Sequence, residues 1–548
     1  MFKYFKKPRS KYDLLPQTSN ESTSDLDETH LREKSRLSRF SPRKLRRICR
    51  SRKALYILLT PVILLLLQLL FNNSYAHPPP FEVNTKERVF IAANIVDGHL
   101  IRGPWGKSVR ELVELLGKER VFVSVYGGPK EALHEFAQSL SCEHEIVIED
   151  EHPVDLEKLP KVVLPTNGQQ KTKRIAYLAE VRNRALAPLL DSKKYYEKVL
   201  FLNDVFFTPA DAVRLLWGTN NVGPNGEAIY KAACAADFIS SWKYYDTFAT
   251  RDPEGYALGV PMYPWFSGEG AAISRKDVFA QKNNVRVKSC WGGMVAFDGW
   301  YFQTQHHASR SAPSPLTSSA NPQITPTPPT QPLKFRSVEN DTFWDASECC
   351  LIHSDILASP SPPTYLPPQS TIEDKYNTGI YLNPYIRVSY SASTHAWLPF
   401  TKRFERLFAP IQIIFANPIG HMPRPNPRRS EREGEIIHDR RWVRLNPLSS
   451  SNQSSSKEHP HEIGSEDGTW QGDHNGMIGK RSNEKHTTQR PASYWENEGF
   501  YEDYERLATR DGYCGTRQLT VMKDRSRGTG DDGGLWDKLV DEVPPLER

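Results

Sequence analysis

A short apolar run from Val199 to Leu202, followed at once by Asn203 and Asp204, constrains the fold of this chain more than any other stretch. The run predicts a buried strand, and Thr208 and Pro209 then supply an N-cap and a first-turn proline for a helix. A carboxylate is therefore expected at the C-terminal end of a strand, where open α/β sheets bind ligands. It can hold a divalent ion and so a diphosphate, or it can simply end the strand and cap a turn.

Strands alternate with amphipathic helices around this run, which predicts a Rossmann-like, mostly parallel α/β sheet. GxxxxGK[ST] does not occur, and GxGxxG occurs only at 528–533, within the predicted disordered tail and not between a predicted strand and a predicted helix. Dinucleotide-binding and P-loop proteins therefore lose their main support. The predicted strands are 89–95, 121–126, 145–148, 199–202, 230–238 and 385–390, and the predicted helices are 105–116, 130–140, 174–190 and 210–217.

The net charge of +6 is unevenly distributed along the chain. Residues 1–53 carry 16 Lys or Arg against 6 Asp or Glu, a net charge of +10, so the remainder is near −4. The basic residues belong to one terminal segment and not to a groove, and we expect no nucleic-acid partner. The seven cysteines show no CxxC spacing, which disfavours a zinc site of that type.

An uncharged apolar run from Ala54 to Phe71 follows the basic segment. Its length as a helix would be about 27 Å, close to the hydrocarbon thickness of a bilayer, and we interpret it as a transmembrane signal anchor. The preceding Lys and Arg residues predict a cytoplasmic N-terminus and a lumenal remainder, in a single-pass type II protein of the Golgi or ER membrane. A cleaved signal peptide competes with this interpretation, but the basic segment is too long for one.

Composition divides the rest of the chain into regions. One stretch holds seven prolines in 25 residues, which predicts a disordered insertion. The predicted regions are a basic disordered tail (1–53), the membrane helix (54–71), a stem (72–86), a single α/β domain (87–415) with the proline-rich insertion (308–332), a disordered segment (416–492), a segment that docks on the domain (493–523) and a disordered tail (524–548).

The helix before the central strand carries Arg182 and Asn183. Adjacent helical residues point in different directions, so one of the two can reach a bound nucleotide while the other anchors the helix to a loop. An ordinary solvated helix face would carry the same residue types.

Aromatic residues stand beside charged ones after the next helix, at Asp237, Tyr245, Asp246, Arg251 and Asp252. Carbohydrate sites combine these residue types, because rings stack on the apolar faces of sugars while acids accept hydrogen bonds from hydroxyl groups. An aromatic-rich core is the other interpretation.

Four further candidates lie downstream. Trp291 sits in a glycine-bearing loop from Ser289 to Met294, and Asp298 follows that loop. Glu348 and His353 are possible acids or metal ligands, although a lone histidine is more often structural.

In order and spacing, seven short motifs resemble the fungal α-1,3-mannosyltransferases typified by the cryptococcal capsule mannosyltransferase and its capsule-associated relatives. The likeness covers roughly residues 87–400 and 493–523, and Gly293 stands where members of that family commonly carry Asn. The matching motifs are Ala179–Leu186, Val199–Phe206, Tyr245–Phe248 with Arg251 and Asp252, Ser289–Met294, Phe335–Arg336, Ser347–Cys349 and Gly512–Gly515.

The resemblance implies a single catalytic domain of the A-type glycosyltransferase fold, with the Asn-Asp-Val triplet as a variant of the Asp-x-Asp metal motif. It implies a retaining transfer of mannose from GDP-mannose to a mannoside acceptor, assisted by Mn²⁺ or Mg²⁺. The implied roles are metal binding for Asp204 and His353, nucleotide binding for Arg182, Asn183 and Asn203, sugar or acceptor binding for Tyr245, Arg251, Asp252 and Trp291, and catalysis for Asp237, Asp246, Asp298 and Glu348.

Two other functions remain open from the sequence. The donor can be another nucleotide sugar, such as UDP-xylose or UDP-galactose. The chain can also be a non-catalytic, membrane-anchored subunit of a glycosylation complex.

Overall fold

The computed structural model describes eleven parts of the chain. The predicted insertion (308–332), apart from its last two residues, and most of the predicted tail (1–53) lie outside them. The described residues are 52–71, 74–84, 86–165, 167–221, 227–303, 331–362, 374–410, 412, 426–445, 492–523 and 535–545.

The described strands run through the whole chain, and those predicted from the sequence recur with bounds that move by a few residues. They are β1 (Val89–Ile95), β2 (Val121–Gly127), β3 (Glu143–Ile148), β4 (Lys161–Val163), β5 (Gln170–Thr172), β6 (Lys198–Leu202), β7 (Ala232–Ser240), β8 (Lys243–Tyr244), β9 (Val285–Arg286), β10 (Met294–Asp298), β11 (Trp344–Ala346), β12 (Ile380–Ser389), β13 (Ile436–Arg444), β14 (Gly499–Leu507), β15 (Gly515–Arg517), β16 (Thr520–Met522) and β17 (Trp536–Lys538).

The helices alternate with the strands in the first half of the chain. They are α1 (Arg52–Phe71), α2 (Gly98–Arg102), α3 (Pro104–Leu116), α4 (Lys130–Ser139), α5 (Arg174–Asp191), α6 (Pro209–Trp217), α7 (Ile273–Phe279), α8 (Glu348–Ala358), α9 (Ala392–Thr401) and α10 (Ala492–Glu498).

Nine strands form one mixed, mostly parallel sheet, which confirms the predicted α/β class. Their order is β3-β2-β1-β6-β10-β7-β12-β9, with β8 paired to β7. Strands β1, β2, β3 and β6 are parallel, β7 and β12 are parallel to each other, and β10 is antiparallel to both of its neighbours.

The sheet is covered on both faces. Alternate residues of the central strands enter two separate clusters, so that Leu200 and Leu202 face α3, α4 and α6 while Val199 and Phe201 face α5 and α8. Because both faces are buried, β6 is apolar from Val199 to Leu202, as its sequence predicts.

The chain reverses its direction of travel across the sheet between β1 and β6. From β1 it moves outward through β2 to β3, and α5 then returns it to β6 on the other side of β1. The carboxyl ends of two such strands leave a crevice outside the sheet, where ligands of open α/β sheets bind.

Two regions predicted to be disordered contain strands. Within 416–492, strand β13 pairs along its full length with β14, and within 524–548, strand β17 pairs with β16. The prediction of disorder is wrong for these strands, because each one satisfies its backbone hydrogen bonds on a partner that lies elsewhere in the sequence. The segment 493–523 is tied to the domain by the Cys350–Cys514 disulfide.

The predicted stem packs against the domain. Ser74 and Tyr75 are fully buried, and the Tyr75 hydroxyl donates to the Val278 carbonyl at 3.0 Å. Helix α1 contains the predicted membrane span. Across the parts of the chain that the structure describes, we find no helix that combines the length and the apolarity needed to cross a membrane.

We expect the Cys350–Cys514 disulfide to stabilise the domain strongly, since it closes a loop with a sequence separation of 164 residues. Replacing both cysteines by Ser should lower the free energy of unfolding by about 5 kcal/mol through the entropy of loop closure. Denaturant unfolding without reductant measures the effect. Cys142→Ser, at a buried free thiol, is the control and should change stability by about 1 kcal/mol; equal effects would contradict the expectation.

Candidate active site

A cavity of about 110 Å³ opens at the carboxyl ends of β1 and β6. Helix α5 supplies one wall with residues at helical spacing, so that a single face of the helix looks into the cavity. The lining residues are Asn94, Ile95, Val96, Tyr126, Arg174, Leu178, Val181, Arg182, Asn203, Asp204, Tyr245, Tyr390 and Trp536.

Asp204 lies where the sequence predicts it, just beyond the end of β6 and half-buried in the cavity wall. Burial raises the pKa of its carboxyl group to about 6, and the nearby negative charge of Asp97 acts in the same direction. Arg182 opposes that shift. The Asp204 carboxylate forms no direct ion pair among the described residues, so a positively charged ligand can bind to it.

Asn94 adds a second oxygen to the cavity. Its amide NH₂ donates to the Tyr126 carbonyl at 3.2 Å and to the Val181 carbonyl at 3.0 Å. Its Oδ1 is buried and has no hydrogen-bond partner within the described residues. A buried acceptor is costly when left unpaired, so this oxygen fits a donor hydroxyl or a cation supplied from the cavity.

Arg182 joins the cavity to the elements behind it. Its Nε donates to Glu348 Oε1 at 3.1 Å, and its Nη1 donates to Asn203 Oδ1 at 3.3 Å. Its guanidinium lies 4.2 Å from the centroid of the Trp291 ring, in a cation–π contact. Arg182 and Asn203 therefore reach the cavity as predicted. Glu348 and Trp291 lie one layer deeper, where they hold the arginine.

Two tyrosines form an apolar wall opposite α5. Tyr245 and Tyr390 line the cavity with their ring centroids 4.6 Å apart. The Tyr390 hydroxyl donates to Asp237 Oδ2 at 2.9 Å. Asp237 is only 1% exposed, and burial, assisted by the charge of Asp246, raises its pKa to about 8. Asp237 therefore positions Tyr390, and its predicted catalytic role is corrected because the carboxyl group does not line the cavity.

The glycine-bearing loop supports the end of β6. Gly292 has φ +60°, and a Cβ there would lie 1.8 Å from the Ala235 carbonyl oxygen. Gly293 has φ +67°, a backbone conformation that Gly and Asn tolerate best. Its carbonyl accepts from the Asn203 backbone N–H at 2.9 Å. The Cys234–Cys290 disulfide fixes the loop to β7.

Asn183 and Asp246 are structural residues. The Asn183 side chain exchanges two hydrogen bonds with the backbone of Phe335, at 2.9 and 2.8 Å. It is the anchoring member of the Arg182–Asn183 pair, so its predicted nucleotide contact is wrong. Asp246 accepts from the Ala249 and Trp291 backbone N–H groups and from a threonine hydroxyl, which occupies its carboxylate and excludes the predicted catalytic role.

Arg251 and Asp252 do not line the cavity either. Arg251 is buried and donates to the backbone carbonyls of Thr250 and Tyr513. Asp252 accepts from the backbone N–H groups of Glu254 and Tyr256. Both side chains stabilise loops, and the predicted role in sugar binding is wrong for both.

Asp298 and His353 are displaced from the cavity by the fold. Asp298 pairs in register with Lys198, at the start of β6, whereas Asp204 follows the end of that strand. His353 is fully buried, its Nδ1 lies 2.7 Å from the Cys349 carbonyl, and burial lowers its pKa to about 4. The predicted catalytic role of Asp298 and the predicted metal role of His353 are therefore corrected.

Other polar and aromatic residues at or near the cavity are not singled out by the sequence, among them Asn94, Asp97, Arg174, Tyr390 and Trp536. A usable signal existed for two of them. Asn94 lies near the end of a strand, as Asn203 does, and Arg174 lies eight residues before Arg182 on the same helix face. Tyr390 and Trp536 come from distant segments that only the fold brings together.

Removing the charge of Arg182 should show how much the free energy of unfolding depends on the buried Arg182–Glu348 pair. We expect Arg182→Met to destabilise the protein by about 3–5 kcal/mol, because it leaves the Glu348 carboxylate buried without its partner. Arg182→Met combined with Glu348→Gln should recover much of that loss. Denaturant unfolding of the two single variants and the double variant checks this, and strict additivity would contradict it.

The chain was compared with known proteins. The family model described as cryptococcal mannosyltransferase 1 matches residues 88–355. No curated protein matches the chain significantly.

Two solved structures are weakly similar. Glucosyl-3-phosphoglycerate synthase from Mycobacterium tuberculosis, in complex with Mn²⁺, UDP and phosphoglyceric acid, is 12% identical with a TM-score of 0.22, and the match covers 42% of this chain and 65% of that one. A mannosyltransferase from Pyrobaculum calidifontis, in complex with GDP-mannose and Mn²⁺, is 12% identical with a TM-score of 0.26, and the match covers 66% of this chain and 80% of that one. Similarity at this level carries no argument about ligands. The family match is more specific than these: residues 88–355, about half of the chain, match the family of cryptococcal mannosyltransferase 1, which supports that family for this region.

Proposed function

We propose that this chain is a retaining glycosyltransferase of the A-type fold that moves mannose from GDP-mannose to a mannoside acceptor, forming an α-1,3 linkage. The observation that carries the proposal is the half-buried carboxylate of Asp204 in a cavity at the carboxyl ends of β1 and β6. The match of residues 88–355 to a mannosyltransferase family supports the choice of sugar.

A divalent ion fits the oxygen atoms of this cavity. Asp204 supplies a carboxylate, and Asn94 supplies a buried amide oxygen without a partner among the described residues. Hard oxygen ligands of this kind suit Mn²⁺ or Mg²⁺. When bound, such an ion would supply positive charge to balance the diphosphate of the donor.

The residues of the chain would prepare the site before the donor enters. Arg182 fixes the Asn203 side chain next to Asp204 and is itself held by Glu348 and Trp291. Tyr245 and Tyr390 present a rigid aromatic wall on which the apolar face of a sugar can stack. Asp237 locks the Tyr390 hydroxyl and thus the orientation of that wall.

Retention of configuration follows from the proposed substrates, since donor and product share the α configuration. The acceptor hydroxyl would approach from the face that the diphosphate leaves, and a departing phosphate oxygen would take its proton. This arrangement requires no dedicated carboxylate base, which agrees with the positions of Asp237, Asp246 and Asp298 away from the cavity lining.

We further propose a lumenal address, in the Golgi or ER. The proposal of a single N-terminal membrane anchor rests on the uncharged sequence run 54–71 alone, since no described helix meets the length and apolarity of a membrane span. Two disulfides, Cys234–Cys290 and Cys350–Cys514, support an oxidising compartment. The basic segment 1–53 before the uncharged run 54–71 supports the orientation.

The function is tested with the purified chain, GDP-mannose and a mannoside acceptor, with Mn²⁺ varied. We expect metal-dependent transfer, and we expect Asp204→Asn to reduce kcat by at least about 100-fold because it removes the charge that faces the ion. Asp298→Asn is the control, because it changes a carboxylate at the other end of the central strands, and it should leave transfer intact. Full activity of Asp204→Asn would remove Asp204 from the metal role.

Nucleotide selectivity is measured separately by thermal shift with GDP, UDP and CDP in the presence of Mn²⁺. A ligand specific for the native state raises the melting temperature, and GDP should raise it most. A larger shift with UDP would change the proposed donor, and no shift with any of the three would favour a non-catalytic subunit.

Activity should also fall in mild acid. Because burial raises the pKa of Asp204 to about 6, protonation competes with metal binding as the pH drops through that value. We expect kcat/KM to decline about tenfold per pH unit below about 6, with saturating Mn²⁺ moving the decline to lower pH. The raised pKa means that the charged carboxylate disfavours folding above its unfolded pKa, so Asp204→Asn should not lower the melting temperature at neutral pH.

A further inference from the structure

Arg174 is a buried cation that forms no direct ion pair within the described parts of the chain. It is the first residue of α5, it is 6% exposed, and it lines the same cavity as Asp204. Its Nε has no hydrogen-bond partner among the described residues. Burial of the charge lowers the pKa of Arg174 from its ordinary value.

The acids nearest to Arg174 are already engaged. Glu348 binds Arg182, its Oε1 accepting from Nε at 3.1 Å. Asp345 lies 3.4 Å from Lys173 Nζ and accepts from the Thr520 backbone N–H. Both acids attract the guanidinium at longer range, but neither compensates it by direct contact. A buried charge in this state destabilises the free protein unless a ligand completes it.

The C-terminal segment places a ring beside this cation. Strand β17 pairs with β16 and brings Trp536 into the cavity lining. The Arg174 guanidinium lies 5.7 Å from the centroid of the Trp536 ring, and the same ring packs edge-on against Tyr177 at 5.9 Å. The cavity thus offers a carboxylate at one place and a guanidinium flanked by an indole at another.

We propose that Arg174 is the anion-binding residue of this cavity and takes the diphosphate of a nucleoside diphosphate. A planar guanidinium can donate two parallel hydrogen bonds to a phosphate. The phosphate oxygens would therefore provide the acceptors that the described residues do not provide for Arg174. The proposal rests on the glycosyltransferase function proposed above and names the residue that receives the leaving group. It leaves Asp204 free for a divalent cation, so that the carboxylate would hold the metal ion and the guanidinium would hold the diphosphate that the ion accompanies.

Inorganic pyrophosphate in the presence of Mn²⁺ is the probe, and isothermal titration of the full chain is the measurement. We expect Arg174→Met to weaken pyrophosphate binding by about 10- to 100-fold and Arg174→Lys by less, because lysine keeps the charge but loses the fork. Arg110→Met, which removes the same charge from the outer helix α3, is the matched control and should bind as the unchanged protein does.

Thermal unfolding separates ligand binding from a structural role. If Arg174 serves a ligand, Arg174→Met should leave the melting temperature of the free protein unchanged or raise it, while pyrophosphate stabilises the variant less. A lowered melting temperature with unchanged pyrophosphate affinity would overturn the proposal, as would the absence of pyrophosphate binding by the unchanged chain. Pyrophosphate binding that depends on Arg174, in a chain that neither binds GDP nor transfers mannose, would uphold the anion site and refute the proposed function.

Discussion

The candidate site depends on the contacts of one buried group, the guanidinium of Arg182. It joins four parts of the chain that are far apart in sequence: α5 itself, the polar end of β6, the start of α8 and the glycine-bearing loop. Each contact uses a different property of arginine, namely its charge toward Glu348, its fork toward Asn203 and its flat face toward Trp291. Lysine offers only the first of these, so the geometry next to Asp204 is specific to arginine.

The cavity combines charges and polar atoms that the fold has left incomplete. The pKa of Asp204 is raised, and neither Asn94 Oδ1 nor Arg174 Nε has a hydrogen-bond partner among the residues that the structure describes. The acid Glu348, by contrast, is paired with Arg182. Elsewhere in the domain, buried ionisable groups have direct partners, whether an opposite charge, as in the Arg387–Glu405 pair, or backbone groups, as for Arg251 and Asp252. Unmatched groups concentrated in one crevice do not stabilise the fold, and this contrast supports the binding role that we propose for the crevice.

The sequence predicts the strands and helices of the first half of the chain well, because these elements are determined by hydrophobic periodicity and by helix-capping residues close to them in the sequence. It places Asp204 correctly for the same reason, since a polar residue that directly follows a buried strand must lie at the carboxyl-terminal end of that strand. It fails for Asp246, Arg251 and Asp252, whose side chains bind backbone groups inside loops, a use of charge that leaves no periodic signal. It fails for Asp298 because β10 runs antiparallel to β6, so the last residue of β10 lies beside the first residue of β6 and not beside Asp204. Tyr390 and Trp536 could not be found without the tertiary fold.

The position of Trp536 has a consequence for the biogenesis of this protein. One wall of the cavity comes from β1, close to the beginning of the domain, and another comes from β17, near residue 540. A nascent chain still attached to the ribosome can form the central sheet, but it cannot close the crevice until β17 has emerged. Binding competence would therefore arrive only once β17 has been synthesised, and a product terminated before β17 would carry the sheet without a finished crevice.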